Sequence, residues 1–285
     1  MKKHIIFIIG LLLLTACGGR QQQNSQSTLT VSIEPLRFFT EAIAGDKFKV
    51  ISMVPEGSNP ETYDPTPQQL VALSQSRAFL RIGYIGFEQT WAHKLQANAS
   101  NIQFFDMSEG INLIREEEKV HGNHTHPGGV EPHIWNSVPN AYIIADNIFR
   151  VLCTLDSENT SYYKENLAKL KQEIENTDKE IRACLLDKEH SFLIYHPALS
   201  YFARDYGLQQ ISIEEGGKEP SPTHLQALIR QCKDKKVRVI FIQKEFDTRN
   251  AEIIARETET KIVSINPLSY KWKSEMIAVA HALSE

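Results

Sequence analysis

Residues 158–188 read ENTSYYKENLAKLKQEIENTDKEIRACLLDK, with no Gly or Pro among them. Tyr163, Leu167, Leu170, Ile174, Ile181 and Leu185 recur at steps of three, four and seven. That spacing lays one apolar stripe along a continuous helix of roughly 30 residues, about 45 Å at 1.5 Å per residue. A helix longer than a small domain is well suited to bridging two lobes.

Strands and helices alternate on both sides of it. Upstream, β-rich runs fall at 29–33, 48–54, 78–82 and 102–105, separated by helical patterns at 36–44, 68–75 and 87–96 and followed by an amphipathic helix at 137–155. Downstream, strands at 191–195, 210–213, 237–242 and 261–265 are each followed by a helix, at 198–206, 222–235, 248–257 and 272–283. Such alternation predicts parallel βα units. The expected fold is α/β: two lobes, each a parallel sheet flanked by helices, at 29–155 and 190–285, joined by one long backbone helix at 156–189. In open α/β sheets ligands bind beyond the carboxyl ends of the strands. His196, Glu214, Glu215, Glu245 and Asn266 occupy those ends.

The N-terminus points to a compartment. Lys2 and Lys3 precede an apolar run from Ile5 to Leu14, too short to span a bilayer and suited to a signal peptide. It ends in Leu14-Thr15-Ala16-Cys17-Gly18, which resembles the bacterial lipobox. Residues 1–16 are therefore expected to be removed, Cys17 lipidated, and 17–28 left as a polar tether. The net charge of −4 becomes more negative by two once Lys2 and Lys3 are gone. A mildly acidic chain gives no support for nucleic-acid binding. Cys153, Cys184 and Cys232 are odd in number and lack CxxC spacing, so they read as small hydrophobes rather than a thiolate metal site.

Histidine is concentrated in one place. His121, His124, His126 and His133 lie within a short stretch of a chain that has ten histidines. The first three sit among Gly, Asn and Pro and read as an accessory metal-handling loop or as a solvated one. His133 is followed by Ile134 and Trp135, which can hold it rigidly. Neutral imidazole is the commonest protein metal ligand. Trp135 itself, like Trp91, reads as packing, and Glu214, Glu215 and Glu219 as a solvated acidic loop or, being near the cleft, as contacts to the metal or to its ligands.

Several motifs then carry a resemblance. They are Val31-Ser32-Ile33-Glu34-Pro35-Leu36, Gly57-Ser58-Asn59-Pro60-Glu61-Thr62-Tyr63-Asp64-Pro65, Glu131-Pro132-His133-Ile134-Trp135, His196-Pro197-Ala198-Leu199-Ser200-Tyr201-Phe202-Ala203 and Ile265-Asn266-Pro267-Leu268. In this order they resemble the zinc/manganese solute-binding lipoproteins that serve ABC importers. The resemblance implies two lobes on a backbone helix with metal in the cleft, held by Glu61, His133, His196 and Asn266. Two positions depart from the family pattern: Glu61 stands where a His is usual, and Asn266 where an Asp is usual. The His-rich loop is typical of zinc-type members, so Zn2+ is expected, with Mn2+ or Fe2+ as alternatives.

Two readings of function follow. The first is a monomeric, lipid-anchored receptor, periplasmic or on the cell surface, that carries metal to an ABC permease and performs no chemistry. A metal-binding adhesin is a variant of it. The second is a zinc hydrolase, since two His and one Glu with an open position also make catalytic centres. No His-Glu-x-x-His motif supports it.

Overall fold

The structure, a computed structural model, describes residues 27–115, 119–121, 124–126, 129–186, 191–215 and 217–285, with backbone alone for 119–121 and 124–126. The expected signal peptide, Cys17 and most of the tether lie outside the described residues.

The first lobe runs β1 (Ser27–Val31), α1 (Glu34–Ala44), β2 (Phe48–Ser52), α2 (Pro67–Ser74), β3 (Ala78–Arg81), α3 (Gly86–Asn98) and β4 (Gln103–Asp106). A short hairpin, β5 (Lys119–His121) and β6 (His124–His126), precedes α4 (Val138–Leu155). A 3-10 turn at Ser157–Asn159 leads into α5 (Thr160–Cys184). The second lobe runs β7 (Ser191–Ile194), α6 (Ser200–Tyr206), β8 (Gln209–Ser212), α7 (Pro222–Asp234), β9 (Val239–Gln243), α8 (Arg249–Thr258), β10 (Lys261–Ile265) and α9 (Trp272–Ser284). Local chemistry sets several starts: Thr66 and Gln69 form a capping box at α2, and Ser137 and Ser221 accept backbone N–H groups at α4 and α7.

Each lobe holds a four-stranded, wholly parallel sheet, in the orders β2-β1-β3-β4 and β8-β7-β9-β10. Counted within its own lobe, each sheet has the order 2-1-3-4. The chain direction therefore switches between β1 and β3 in one lobe and between β7 and β9 in the other. The described fold also begins earlier than the tether reading allows, because Ser27 and Thr28 pair with Phe48 and Lys49.

Helix α5 does what its stripe predicts. Tyr163, Leu167, Leu170, Ile174 and Ile181 are buried, and the helix packs on α1 and α4 of the first lobe and on α9 of the second. One apolar core runs through both lobes along this helix, and a second, smaller one covers the far face of the second sheet.

Specific bonds lock the lobes at their junction. Trp135 Nε1 donates to the Pro267 carbonyl at 2.8 Å, and Trp272 Nε1 donates to the Trp135 carbonyl at 2.7 Å. Asn136 Nδ2 donates to the Ala198 carbonyl at 2.9 Å. The Tyr201 hydroxyl donates to the Glu131 carbonyl at 2.9 Å and accepts from the Ile114 amide at 3.1 Å. Trp135 is wholly buried, so Trp135→Ala removes a large apolar side chain and a hydrogen bond together. It is expected to destabilise the protein by about 3–5 kcal/mol, read as a lower urea midpoint.

Candidate metal centre

The centre forms where the ends of the second sheet meet the turn that precedes α4. His133 lies in that turn, 5 % exposed, with its ring beside the Trp135 indole at 5.2 Å between centroids. The turn is held by the Asn136 amide donating to the His133 carbonyl and by Asn140 Nδ2 donating to the Ile134 carbonyl.

His196 follows the end of β7 and is fixed by the neighbouring strand β9. Gln243 clamps its backbone at both ends: Nε2 donates to the His196 carbonyl at 2.6 Å and Oε1 accepts from the His196 amide at 3.3 Å. Phe246 stacks on the His196 ring at 5.3 Å and 17°.

The two imidazoles face each other with Nε2 to Nε2 at 3.3 Å. Behind each stands a carboxylate. His133 Nδ1 contacts Glu131 Oε1, and His196 Nδ1 lies 2.8 Å from Glu214 Oε1. In a neutral imidazole the nitrogen facing a carboxylate carries the hydrogen, so the other nitrogen presents a lone pair. Both Nε2 atoms thus face the same small space, where a proton or a cation can bridge them.

Electrostatics at the pair follow. Burial by itself lowers the affinity of His133 for a proton. The bonded Glu131 carboxylate, with Glu61 and Glu214 nearby, outweighs that and holds the pKa above the usual imidazole value. Burial pushes the Glu131 carboxyl up, but the charge and hydrogen bonds of His133, with the Ser200 hydroxyl, hold it below the usual range.

Glu61 comes from the loop after β2. Its Oε2 accepts the Gly86 amide at 3.0 Å, while Oε1 is buried and has no hydrogen-bond partner among the described residues. Gly86 is needed there, because a Cβ would meet the Glu61 carbonyl oxygen at 2.3 Å and Oε2 at 2.8 Å. The Gly86 loop is itself tied down by Glu88, whose buried carboxyl accepts the amides of Ile82, Gly83 and Ile85. Burial pushes the Glu88 pKa up to about 7.

The other residues singled out on sequence fall elsewhere. Asn266 is engaged in its own turn: Oδ1 accepts the Leu268 amide at 3.2 Å and Nδ2 donates to Glu56 at 3.1 Å. It lines a different surface cavity, with Arg37, Glu56 and Tyr270, and is not among the residues around the two imidazoles. His121, His124 and His126 belong to the β5–β6 hairpin, with His121 opposite His124, so the stretch read as loop is antiparallel ladder. Their side chains lie outside the described residues. Among the described residues no three His, Cys, Asp or Glu side chains are gathered tightly enough to enclose an ion. The centre is a preset pair of imidazoles with carboxylates around it.

Glu214 corrects the reading of a solvated acidic loop: it is 8 % exposed and bonded to His196. Its position at the end of a strand beside β7 was the available signal. The role of Glu131 was missed on sequence, although it stands two residues before His133. The three described cysteines are free; Cys232 is buried, Cys153 and Cys184 half-buried.

Comparison with known proteins agrees with this architecture. The family model for ZnuA, zinc-uptake complex component A periplasmic, matches residues 29–277. The manganese ABC transporter substrate-binding lipoprotein PsaA of Streptococcus mitis is 27% identical over 274 residues, covering 90% of this chain and 86% of that protein. The iron ABC transporter substrate-binding lipoprotein MtsA of Streptococcus pyogenes serotype M1 is 27% identical over 285 residues, covering 93% and 89%. A crystal structure of ZnuA superposes with a TM-score of 0.84 at 37% identity, covering 90% of this chain and 98% of that one. The chain belongs to the family of ZnuA, the periplasmic component A of zinc-uptake complexes.

Proposed function

We propose that this protein is an extracytoplasmic solute-binding protein that captures a divalent metal ion, zinc, between its lobes and delivers it to an ABC permease. The ion is cargo and leaves unchanged. The observation that carries the reading is the pair of opposed Nε2 atoms on His133 and His196, 3.3 Å apart. A tetrahedral ion at the ~2.0–2.1 Å usual for zinc–imidazole bonds holds two nitrogens roughly 3.3–3.4 Å apart. The pair is thus spaced for the ion in advance. Glu61 supplies a third donor, its Oε1 being buried and without a partner among the described residues. Glu131 and Glu214 orient the imidazoles as hydrogen-bonded carboxylates do behind zinc-bound histidines.

The hairpin carrying His121, His124 and His126 is proposed to gather metal ahead of the centre. Lipidation of Cys17 is proposed to tether the protein, a monomer, to the outer face of the cytoplasmic membrane or to the periplasm-facing side of an envelope membrane. No helix among the described residues is long and apolar enough to cross a membrane. A Cys17→Ala variant is expected to move from the membrane fraction to the soluble fraction on cell fractionation.

Purified protein is expected to bind one zinc ion per chain, measured by elemental mass spectrometry and competitive titration. His133→Ala and His196→Ala should each abolish that binding; a full equivalent retained in both variants would overturn the proposal. Manganese, iron and nickel in the same competition identify the preferred cargo.

Metal affinity should also fall with pH in a predictable direction. The ion needs the lone pair that a proton would occupy. Because the His133 pKa is raised, protons compete from above its ordinary value of 6.5, and affinity declines as pH is lowered through that range. Glu131→Gln removes the charge that raises it, so the onset of the decline should move to lower pH in titrations between about pH 5 and 8.

A further inference from the structure

The pocket beside the imidazole pair contains a carboxylate that the donor set above does not use. Glu245 follows β9 and lines this pocket together with His133, His196, Gln243, Phe246, Pro60 and Leu268. It is half-buried, and among the described residues it makes no ion pair with Lys or Arg. Burial raises its pKa; the hydrogen bond it accepts from its own backbone amide, then the positive charge that His196 and His133 carry when protonated and that of Lys244, act in the opposite direction.

Its position is set by the sheet. β7 and β9 are the strands between which the second sheet switches direction, and their carboxyl ends deliver His196 and Glu245 to the two sides of that crevice. The Gln243 clamp fixes the backbone of His196 two residues before Glu245, and Phe246 on the other side of Glu245 stacks on the His196 ring. Glu245 is therefore bracketed by two contacts to the same histidine. Strand β10, next to β9 with Ile265 opposite Gln243, ends in Asn266, whose amide is occupied by Leu268 and Glu56.

We infer that Glu245, and not Asn266, supplies a carboxylate oxygen to the bound metal and completes the donor set of His133, His196 and Glu61. This rests on the metal-binding reading of the histidine pair. A second carboxylate also changes what the site selects. Two imidazoles with two carboxylates make a doubly anionic, mixed nitrogen and oxygen site, matched to a divalent cation of borderline hardness.

The test uses zinc titration and zinc K-edge X-ray absorption on full-length protein. Glu245→Gln keeps the size of the side chain, and its unfolding curve without metal should match the wild type. Its zinc affinity is expected to fall at least about tenfold with one-to-one stoichiometry kept, and its spectrum to lose one oxygen scatterer while both imidazole signatures remain. Asn266→Ala is expected to bind zinc within about twofold of wild type. Wild-type affinity in Glu245→Gln, or weakened binding with an unchanged spectrum, overturns this assignment alone. Zinc binding that survives His133→Ala and His196→Ala overturns the site itself. Loss of the oxygen scatterer in Asn266→Ala instead would transfer the role to Asn266.

Discussion

Two imidazole nitrogens facing each other across 3.3 Å form the constraint on which the site depends. Glu131 and Glu214 hold the opposite edges of the two rings, and both carboxylates are themselves buried. Glu131 is held in turn through its carbonyl by Tyr201 and through its carboxylate by Ser200, both on α6 of the other lobe. The residue that orients the first-lobe histidine is thus positioned by the second lobe. The pairing of the two imidazoles is thus sustained by contacts distributed over the junction.

The fold makes such a junction accessible. Parallel sheets present all their carboxyl ends on one edge, and the point where the strand order reverses leaves a crevice there. Both lobes share the order 2-1-3-4, so each offers one crevice. In the second lobe, His196 and Glu245 follow the strands on either side of it. The first lobe sends two loops instead: the one after β2 with Glu61, and the long connection ending in Glu131 and His133. The Gly86 turn at the end of β3 acts as a backing for Glu61, and the absent side chain at Gly86 is what lets that carboxylate approach.

Much of this was legible in the sequence, for physical reasons that differ by element. Helix α5 could be read because its stripe is long and has no Gly or Pro, so no alternative period fits Tyr163 through Ile181. The strands could be read because parallel, buried strands are continuous apolar runs such as Val-Ile-Phe-Ile-Gln at β9. His133 stood out through its rigid neighbours. Glu214 was misread because a strand-end acid looks the same whether it meets water or a histidine; only the β7–β8 register puts it beside His196. The Asn266 turn and the hairpin at His121–His126 depend on partners distant in sequence or on a pairing of three residues per strand, both too weak to show as a pattern.

The junction between the lobes gives the cargo a second effect. His133 belongs to the first half of the chain and His196 to the second, and α5 keeps both at a high effective concentration without contributing a donor itself. An ion bridging them is a cross-link between halves. Anything bound only by the assembled state stabilises it by mass action, about 4 kcal/mol at a thousandfold excess over Kd. A form loaded at this pair would therefore differ from the empty one in the strength of the seam between lobes. A membrane partner able to pry at that seam would sense cargo as mechanical resistance.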